Sequence, residues 1–250
     1  MPAVISIFED ERWQMTIGER AALEGILSQL KPELALEIGT AQGGSLRRIV
    51  EHSREVHSFD MHLTPDAEAE EFRDVHFHTG DTHELLRPWL DGIREAGRRL
   101  DFVLVDGDHS AEGVQADVRD ILESGVLEGV MLLHDSMNPE VRRGMRGADI
   151  AGHSAVRYVD LDFVSGHLTR YGQGGEYFGQ LWGGLGLAVV GGSGDGGALR
   201  LFASNGPQQD AFYTAHSLVR PSAEVIGLPA RIFHAVRGRA RAAYHRLRKS

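Results

Sequence analysis

Short apolar runs that alternate with helical patterns constrain this chain more than any other feature of its sequence. Between Ile17 and about Val190 several of these runs, 34–38, 101–106 and 129–135 among them, are nearly continuous in apolar residues, as in strands that are buried on both faces. Such strands, when helices separate them, form a parallel sheet covered by helices. We therefore predict an α/β fold with a doubly wound, mainly parallel seven-stranded sheet and helices on both faces. The predicted strands are 34–38, 56–60, 75–78, 101–106, 129–135, 157–163 and 185–190.

The helices have signals of their own. Thr16 and Glu19 are spaced as in a capping box, and apolar residues then recur at helical spacing until Pro32. Further helices are predicted from about Ser45 and over 111–122. These elements predict a single domain over residues 1–228, in which the first helix forms an N-terminal cap.

The charge of the chain is divided unevenly. The sequence has 26 Lys and Arg against 36 Asp and Glu, a formal net charge of -10, which disfavours nucleic acid as a partner. Residues 229–250 differ, because they hold seven basic residues and no acid around an apolar stripe at helical spacing. A basic amphipathic C-terminal helix is predicted there. It could lie on an anionic membrane surface, bind an acidic patch of a neighbouring subunit, or pack on the acidic body.

The absence of certain residues narrows the classes of site. The chain has no cysteine, so thiolate metal sites, iron–sulfur clusters and a cysteine nucleophile are excluded. No basic, apolar signal peptide and no apolar stretch of membrane-spanning length is visible. A cytoplasmic protein is the expectation.

Acidic residues stand at or just beyond five predicted strand ends, where open parallel sheets bind their ligands. They are Glu37, Asp60, Asp81, Asp106 and Asp135. The first strand leads into a turn with Gly39, Gly43 and Gly44, which lacks the spacing of dinucleotide-binding loops. Glu37 before that turn would repel a phosphate but attract an ammonium group, and Asp60 could accept both hydroxyls of a ribose. This combination describes S-adenosylmethionine. The alternative is an ordinary strand–helix turn beside a solvated acid.

The motifs together resemble a known family. The pattern E-x-G-x-x-x-G from Glu37, then Asp60, V-D-G-D-H-S at 105–110 and L-L-H-D-S at 132–136 resemble class I S-adenosylmethionine-dependent methyltransferases. Within residues 34–143 the chain is most similar to metal-dependent sugar O-methyltransferases of the macrocin and mycinamicin type, with the cephalosporin-hydroxylase-like branch nearby. The resemblance implies a cofactor site made of Glu37, Gly39, Thr40, Gly43, Ser45, Asp60, Asp81, Thr82 and Asp106.

Two carboxylates and two histidines carry the expected chemistry. Asp106 and Asp135 end adjacent parallel strands, and two close carboxylates repel each other unless a proton or a cation lies between them. Oxygen ligands favour a hard divalent cation, Mg²⁺ above all. In the resembling enzymes a histidine at the spacing of His109 is the general base; alternatively, His109 and Ser110 only begin a helix. His134 stands where relatives carry a second acid, and it could bind the metal or point into the core.

The resemblance implies one function, and two alternatives remain open. We expect methyl transfer from S-adenosylmethionine to a sugar hydroxyl of a glycoside, oligosaccharide or polysaccharide precursor, in a homo-oligomer. Loops at 136–156 and 165–184 would hold this carbohydrate or glycosylated acceptor, and the C-terminal helix could bring the enzyme to a lipid-linked glycan. The alternatives are an Fe(II)-binding protein associated with hydroxylases, or a non-catalytic binding subunit. His76 and His78 share one strand face, and we interpret them as structural.

Overall fold

The computed structural model of the protein describes residue 8 and residues 13–62, 69–168 and 180–191. The predicted C-terminal helix at 229–250 and the last part of the predicted domain lie outside these residues. No helix in the described part of the chain is both long and apolar enough to cross a membrane.

The described chain folds around a seven-stranded sheet, as the apolar runs predict. Its order is β3-β2-β1-β4-β5-β9-β6, and only β9 runs antiparallel to its neighbours. The strands are β1 (Leu34–Ile38), β2 (Glu55–Asp60), β3 (Val75–Thr79), β4 (Leu100–Val105), β5 (Leu127–His134), β6 (Val156–Val164) and β9 (Leu185–Val190). A separate two-stranded ribbon consists of β7 (His167–Leu168) and β8 (Leu181–Trp182).

Helices cover both faces of the sheet, which confirms the doubly wound prediction. They are α1 (Ile17–Leu30), α2 (Gly44–His52), α3 (Thr82–Glu95), α4 (Ala111–Ser124) and α5 (Pro139–Gly147). One apolar core joins the sheet to α3, α4 and α5. A second core packs α1 and α2 on the opposite face. The capping box of α1 forms as predicted, with Thr16 and Glu19 each bonding to the other's backbone N–H.

The order of the strands determines where a ligand can bind. β1 lies between β2 and β4, so the chain winds outward in one direction from β1 and in the other from β4. The backbone N–H of Asp106 bonds to the carbonyl of Ile38 at 2.8 Å, which brings the ends of β4 and β1 together. A crevice outside the carboxyl ends of such strands is the usual binding position in open α/β sheets.

The two segments predicted as acceptor loops contain secondary structure in their described parts. Residues 136–156 contain α5 and a short 3₁₀ turn, and α5 approaches α4 so closely that a Cβ on Gly144 would lie 2.6 Å from the Ala111 carbonyl oxygen. The ends of 165–184 pair as β7 and β8, whereas 169–179 lie outside the described residues. The role of these segments in holding the acceptor stays a prediction.

Candidate active site

A cavity of about 640 Å³ opens at the carboxyl ends of the central strands. This volume is typical of sites for small molecules and cofactors. Its walls come from the chain before α1, the turn after β1, the ends of β2, β4 and β5, and the β7–β8 ribbon. Its lining residues include Glu19, Gly39, Asp60, Asp106, His109, His134, Asp135 and Trp182.

The turn after β1 holds its shape through a close backbone contact and a carboxylate. Gly39 has φ +89°, and a Cβ at this position would lie 2.1 Å from the carbonyl oxygen of Asp106. The Asp60 carboxylate accepts hydrogen bonds from the backbone N–H groups of Thr40 (2.7 Å) and Ala41 (3.1 Å). Glycine is thus required at 39. Asp60, at the end of β2, lines the cavity with the turn it supports.

Glu37 lies beneath the cavity rather than on its wall. Its side chain is fully buried and accepts hydrogen bonds from Ser45 Oγ (2.5 Å) and Ser58 Oγ (3.3 Å). Burial raises the pKa of Glu37 to about 8, and the negative charges of Asp106 and Asp60 act in the same direction. The predicted contact with a cofactor ammonium group stays a prediction, because in this structure serine hydroxyls hold the carboxyl group.

The remaining predicted cofactor residues divide into two groups. Thr40, Ser45 and Thr82 line the cavity directly. Gly43 and Asp81 shape the elements beside it: Gly43 is the N-cap of α2 and packs against Phe72, and Asp81 caps α3 by accepting a hydrogen bond from the His83 N–H. The binding roles of all these residues remain predictions.

Four side chains meet where β4 and β5 end, and we call Asp106, His109, His134 and Asp135 the strand-end cluster. His109 Nε2 lies 3.0 Å from an oxygen of Asp135 and 3.5 Å from one of Asp106. His134 Nδ1 lies 2.8 Å from Asp106 Oδ1 and 3.6 Å from Asp135 Oδ2. Asp106 and Asp135 thus lie close together, as predicted, and the structure brings His109 and His134 to the same place.

The backbone conformation of Asp135 explains how two successive residues face one point. Adjacent side chains on a strand point to opposite faces. β5 ends at His134, however, and Asp135 takes the left-handed conformation with φ +51°. The Asp135 carboxylate also accepts a hydrogen bond of 2.5 Å from the Gly183 N–H, which ties it to the segment after β8. A non-glycine residue with positive φ costs energy and is frequent at functional sites.

The pKa values of the strand-end cluster reflect strong mutual attraction. Hydrogen bonds to Asp106 and Asp135 raise the pKa of His109 to about 9. Burial would lower the pKa of His134, but the charges and hydrogen bonds of Asp106, Glu19 and Asp135 together outweigh it and hold that pKa well above its usual value. Burial would raise the pKa of Asp106, yet the charge of His134 and the hydrogen bond from His109 lower it. At neutral pH the two imidazolium rings therefore balance the carboxylates.

The donor atoms of this cluster fit a metal ion. One nitrogen of His134 and one oxygen from each of Asp106 and Asp135 lie within 4.8 Å of one another. Two carboxylates with one imidazole suit hard or borderline divalent ions. Cationic histidines now occupy the position where a cation would relieve the repulsion between the carboxylates.

A second group of possible ligands, outside the cavity, is less suited to a metal. It consists of Glu55, His57 and His76. Arg98 holds the Glu55 carboxylate in a bidentate pair at 2.9 and 2.7 Å. The rings of His57 and His76 are stacked, with centroids 4.6 Å apart and planes at 23°, and both ring nitrogens of His57 already have partners in His78 and Glu55.

Histidine stacking at this sheet edge confirms that His76 and His78 share a strand face. We call His57, His76, His78 and Trp89 the edge-strand cluster. His78 stacks on Phe59 at 4.2 Å, and its Nε2 lies 2.9 Å from His57 Nδ1. Burial lowers the pKa of His57, and burial together with the neighbouring histidines lowers the pKa of His78 to about 4.

The N-terminal segment contributes to the cavity, which no sequence pattern predicted. Trp13, Gln14 and Met15 line the cavity, and no pattern in the sequence marks them. Glu19 also lines it, although its capping role alone was predicted. A signal for Glu19 does exist, because Glu19 lies four and eight residues before the buried Leu23 and Leu27. An acid on the buried face of a helix needs a partner.

Comparisons with known proteins agree with this architecture. Residues 36–136 match the family model described as a methyltransferase domain. The structure of an O-methyltransferase from Bacillus cereus in complex with SAH is 17% identical, covers 74% of this chain and 86% of that chain, and has a TM-score of 0.51. The O-methyltransferase TomG from Streptomyces achromogenes, involved in tomaymycin synthesis and solved with SAM, is 19% identical, with coverages of 74% and 85% and a TM-score of 0.53.

A more distant likeness concerns the branch named in the sequence analysis. MycE from the mycinamycin pathway, solved with Mg, SAH and mycinamycin VI, is 14% identical over 73% of this chain and 52% of that chain, with a TM-score of 0.46. At this score the likeness supports no argument, so the macrocin-type branch stays a prediction. No curated protein sequence matches the chain. The fold is that of a Rossmann-like methyltransferase.

Proposed function

We propose that the protein is an S-adenosylmethionine-dependent O-methyltransferase that uses a divalent cation, with Mg²⁺ as the first candidate, and methylates a sugar hydroxyl. The observation that carries the proposal is the position of the strand-end cluster. Its carboxylates and histidines lie in one cavity with Asp60 and the glycine turn, at the switch point of a methyltransferase fold. A cofactor and an acceptor bound there would both reach the cluster.

Different residues of the cavity are proposed to bind the cofactor and the cation. Asp60 at the end of β2 would accept the ribose hydroxyls, and the turn at Gly39 would let the ligand approach the backbone. Asp106, His134 and Asp135 would hold the cation. A divalent cation there would balance the carboxylates that now keep a proton on His109 and would lower the pKa of a neighbouring hydroxyl.

His109 is proposed as the general base. Its Nε2 points into the space that Asp106 and Asp135 share. S-adenosylmethionine would supply the methyl group from its sulfonium, and His109 Nε2 would receive the hydroxyl proton as the acceptor oxygen takes that methyl group from sulfur. Proton transfer to a positioned base contributes about 10²–10⁴-fold to a rate.

An aromatic side chain in the cavity supports the proposal of a sugar acceptor. Trp182 lines the cavity and meets His109 edge to face, with ring centroids 5.5 Å apart. An indole beside a catalytic base can pack on the apolar face of a sugar ring while the hydroxyl reaches the base. Tyr171, Tyr177 and Phe178, the other aromatic residues proposed for the acceptor, lie outside the described residues.

Methyl transfer from labelled S-adenosylmethionine tests the proposal. We would incubate the protein with Mg²⁺ and with monosaccharides, oligosaccharides and lipid-linked glycans, and compare wild type with His109→Ala and with the control His76→Ala. Transfer that His109→Ala abolishes and His76→Ala retains is expected. If no methyl group is transferred to any of these acceptors, the sugar acceptor is rejected. Metal analysis that finds one iron per chain, together with no transfer, would favour the hydroxylase-associated alternative.

A further inference from the structure

Glu19 is buried far more completely than a capping residue needs to be. Its exposed fraction is 1%, although it stands in the first turn of α1. A capping box uses one carboxylate oxygen of this glutamate to accept a hydrogen bond from the N-cap N–H. Here Oε2 accepts that bond from Thr16, which leaves Oε1 for other partners.

The second oxygen of Glu19 reaches the active site. Oε1 accepts a hydrogen bond from the Gly184 N–H, just after β8, and lies 3.6 Å from His134 Nε2. Glu19 therefore connects the start of α1, the turn between β8 and β9, and the strand-end cluster. Burial would raise the pKa of Glu19, but its interactions with His134 and Thr16 lower it, so the carboxylate is ionised at neutral pH.

His134 needs a partner on the side of Glu19. Its Nδ1 faces Asp106 and Asp135, the two proposed metal ligands. Its Nε2 is buried and has no hydrogen-bond partner within 3.5 Å among the described residues. A buried ring nitrogen without a hydrogen-bond partner is costly. The Glu19 carboxylate, whose Oε1 lies 3.6 Å from this nitrogen, is placed to supply that partner.

We propose that Glu19 is a positioning residue: its carboxylate takes the Nε2–H of His134 and thereby aims Nδ1 at the cation held with Asp106 and Asp135. The inference rests on the metal site of the proposed function. Histidines that bind metals generally donate their other N–H to a carboxylate or carbonyl, and this partner fixes both tautomer and ring orientation. Glu19 does so from a helix that the sequence marks only as a cap.

Mn²⁺ affinity separates this role from helix capping. We would titrate Mn²⁺ into wild type, Glu19→Gln and Thr16→Ala and follow free Mn²⁺ by electron paramagnetic resonance. Glu19→Gln can still accept a hydrogen bond from Thr16 or Gly184 but loses its charge, and its affinity should fall about 10–100-fold, as for other outer partners of metal ligands. Thr16→Ala removes the cap hydroxyl and should leave the affinity within about 2-fold, since Glu19 stays in place.

The outcomes distinguish the inference from the function on which it rests. Equal Mn²⁺ affinity in wild type and Glu19→Gln would overturn the role of Glu19 alone. Failure of the wild type to bind Mn²⁺ would overturn the metal site, and the inference with it.

A measurement on the wild type covers the case in which Glu19→Gln does not fold. In ¹⁵N-histidine spectra of the Mg²⁺-saturated protein, with His134 assigned from the spectrum of His134→Gln, we expect a protonated, slowly exchanging Nε2. A deprotonated Nε2 on His134 would contradict the proposed hydrogen bond.

Discussion

Two groups of histidines on the same sheet have opposite environments. In the strand-end cluster His109 and His134 lie beside Asp106 and Asp135, and their pKa values are raised. In the edge-strand cluster His57 and His78 pack against each other and against aromatic rings, and their pKa values are lowered. The only carboxylate of that edge that approaches His57 is Glu55, among the described residues, and Arg98 binds it.

The difference shows that position at a strand end, rather than residue type, decides whether a histidine of the described chain faces carboxylates in the cavity. The chain has 13 histidines, and their number indicates nothing about function. Beyond the carboxyl end of a parallel strand a side chain can enter a crevice. In the middle of β2 and β3 the same side chain becomes part of the packing between sheet and helix.

The largest expected difference between the clusters is in methyl transfer. His109→Ala should lower the rate constant by about 10²–10⁴-fold, because the proposed base is lost. His78→Gln, in the edge-strand cluster, should retain wild-type turnover. Single-turnover assays with saturating labelled cofactor measure the effect, and similar losses in both variants would remove the distinction between the clusters.

Metal binding should separate the clusters next. Asp106→Asn removes one proposed ligand and leaves Asp135 and His134, so Mn²⁺ affinity should fall by more than the roughly 10–100-fold typical of an outer partner. Glu55→Gln removes the carboxylate of the other candidate group and should leave the affinity unchanged. Calorimetric titration with Mn²⁺ checks both variants, and a loss confined to Glu55→Gln would assign the metal to the sheet edge.

Near the strand-end cluster, Glu37 should make the stability of the protein fall as the pH rises. Glu37 has a pKa raised to about 8, so its contribution to folding is complete below about 4.5 and is lost as the pH rises through about 8. The slope is at most about 1.4 kcal/mol per pH unit in that window. Glu37→Gln keeps an acceptor for Ser45 and should flatten the slope. Urea denaturation at pH 5, 6, 7 and 8 measures it; an unchanged slope would mean that Glu37 does not carry the proton.

At the edge-strand cluster the stability should instead fall as the pH decreases, and the effect should be smaller. The pKa of His78 is lowered to about 4, so its contribution is complete above about 6.5 and is lost as the pH falls through about 4. His78→Gln removes this titration. Its melting temperature should drop less than that of wild type between pH 7 and pH 5, by about 2–4 °C, which is the shift that roughly 1 kcal/mol causes in a domain of this size. Parallel melting curves for wild type and variant would refute this assignment.

The sequence predicted the central part of the fold because its signals there are local. Apolar runs mark β1, β2, β4 and β5, and the acids at their ends could be placed together from strand geometry alone. The β7–β8 ribbon and the packing of α5 were missed, since they depend on contacts between distant segments. Glu37 was placed correctly at the end of β1, but its enclosure by Ser45 and Ser58 follows from neighbours that the linear sequence does not reveal.

The N-terminal part of the cavity lining was also not predictable from local sequence patterns. Glu19 was explained completely by the capping pattern, and only the folded chain brings it to His134 and Gly184. Long-range pairing of this kind depends on how α1 packs on the sheet, to which no local motif corresponds. The acceptor, the membrane or glycan contact of the C-terminal segment, the cytoplasmic location and the homo-oligomer stay predictions.

Cofactor binding tests the central claim most directly. Isothermal titration of the 250-residue chain with S-adenosylmethionine should show saturable binding of one molecule per chain. Asp60→Ala should weaken it, because the carboxylate at the end of β2 is the proposed contact of the ribose, whereas His76→Ala should not. Absence of binding in the wild-type protein, with and without Mg²⁺, would contradict the account.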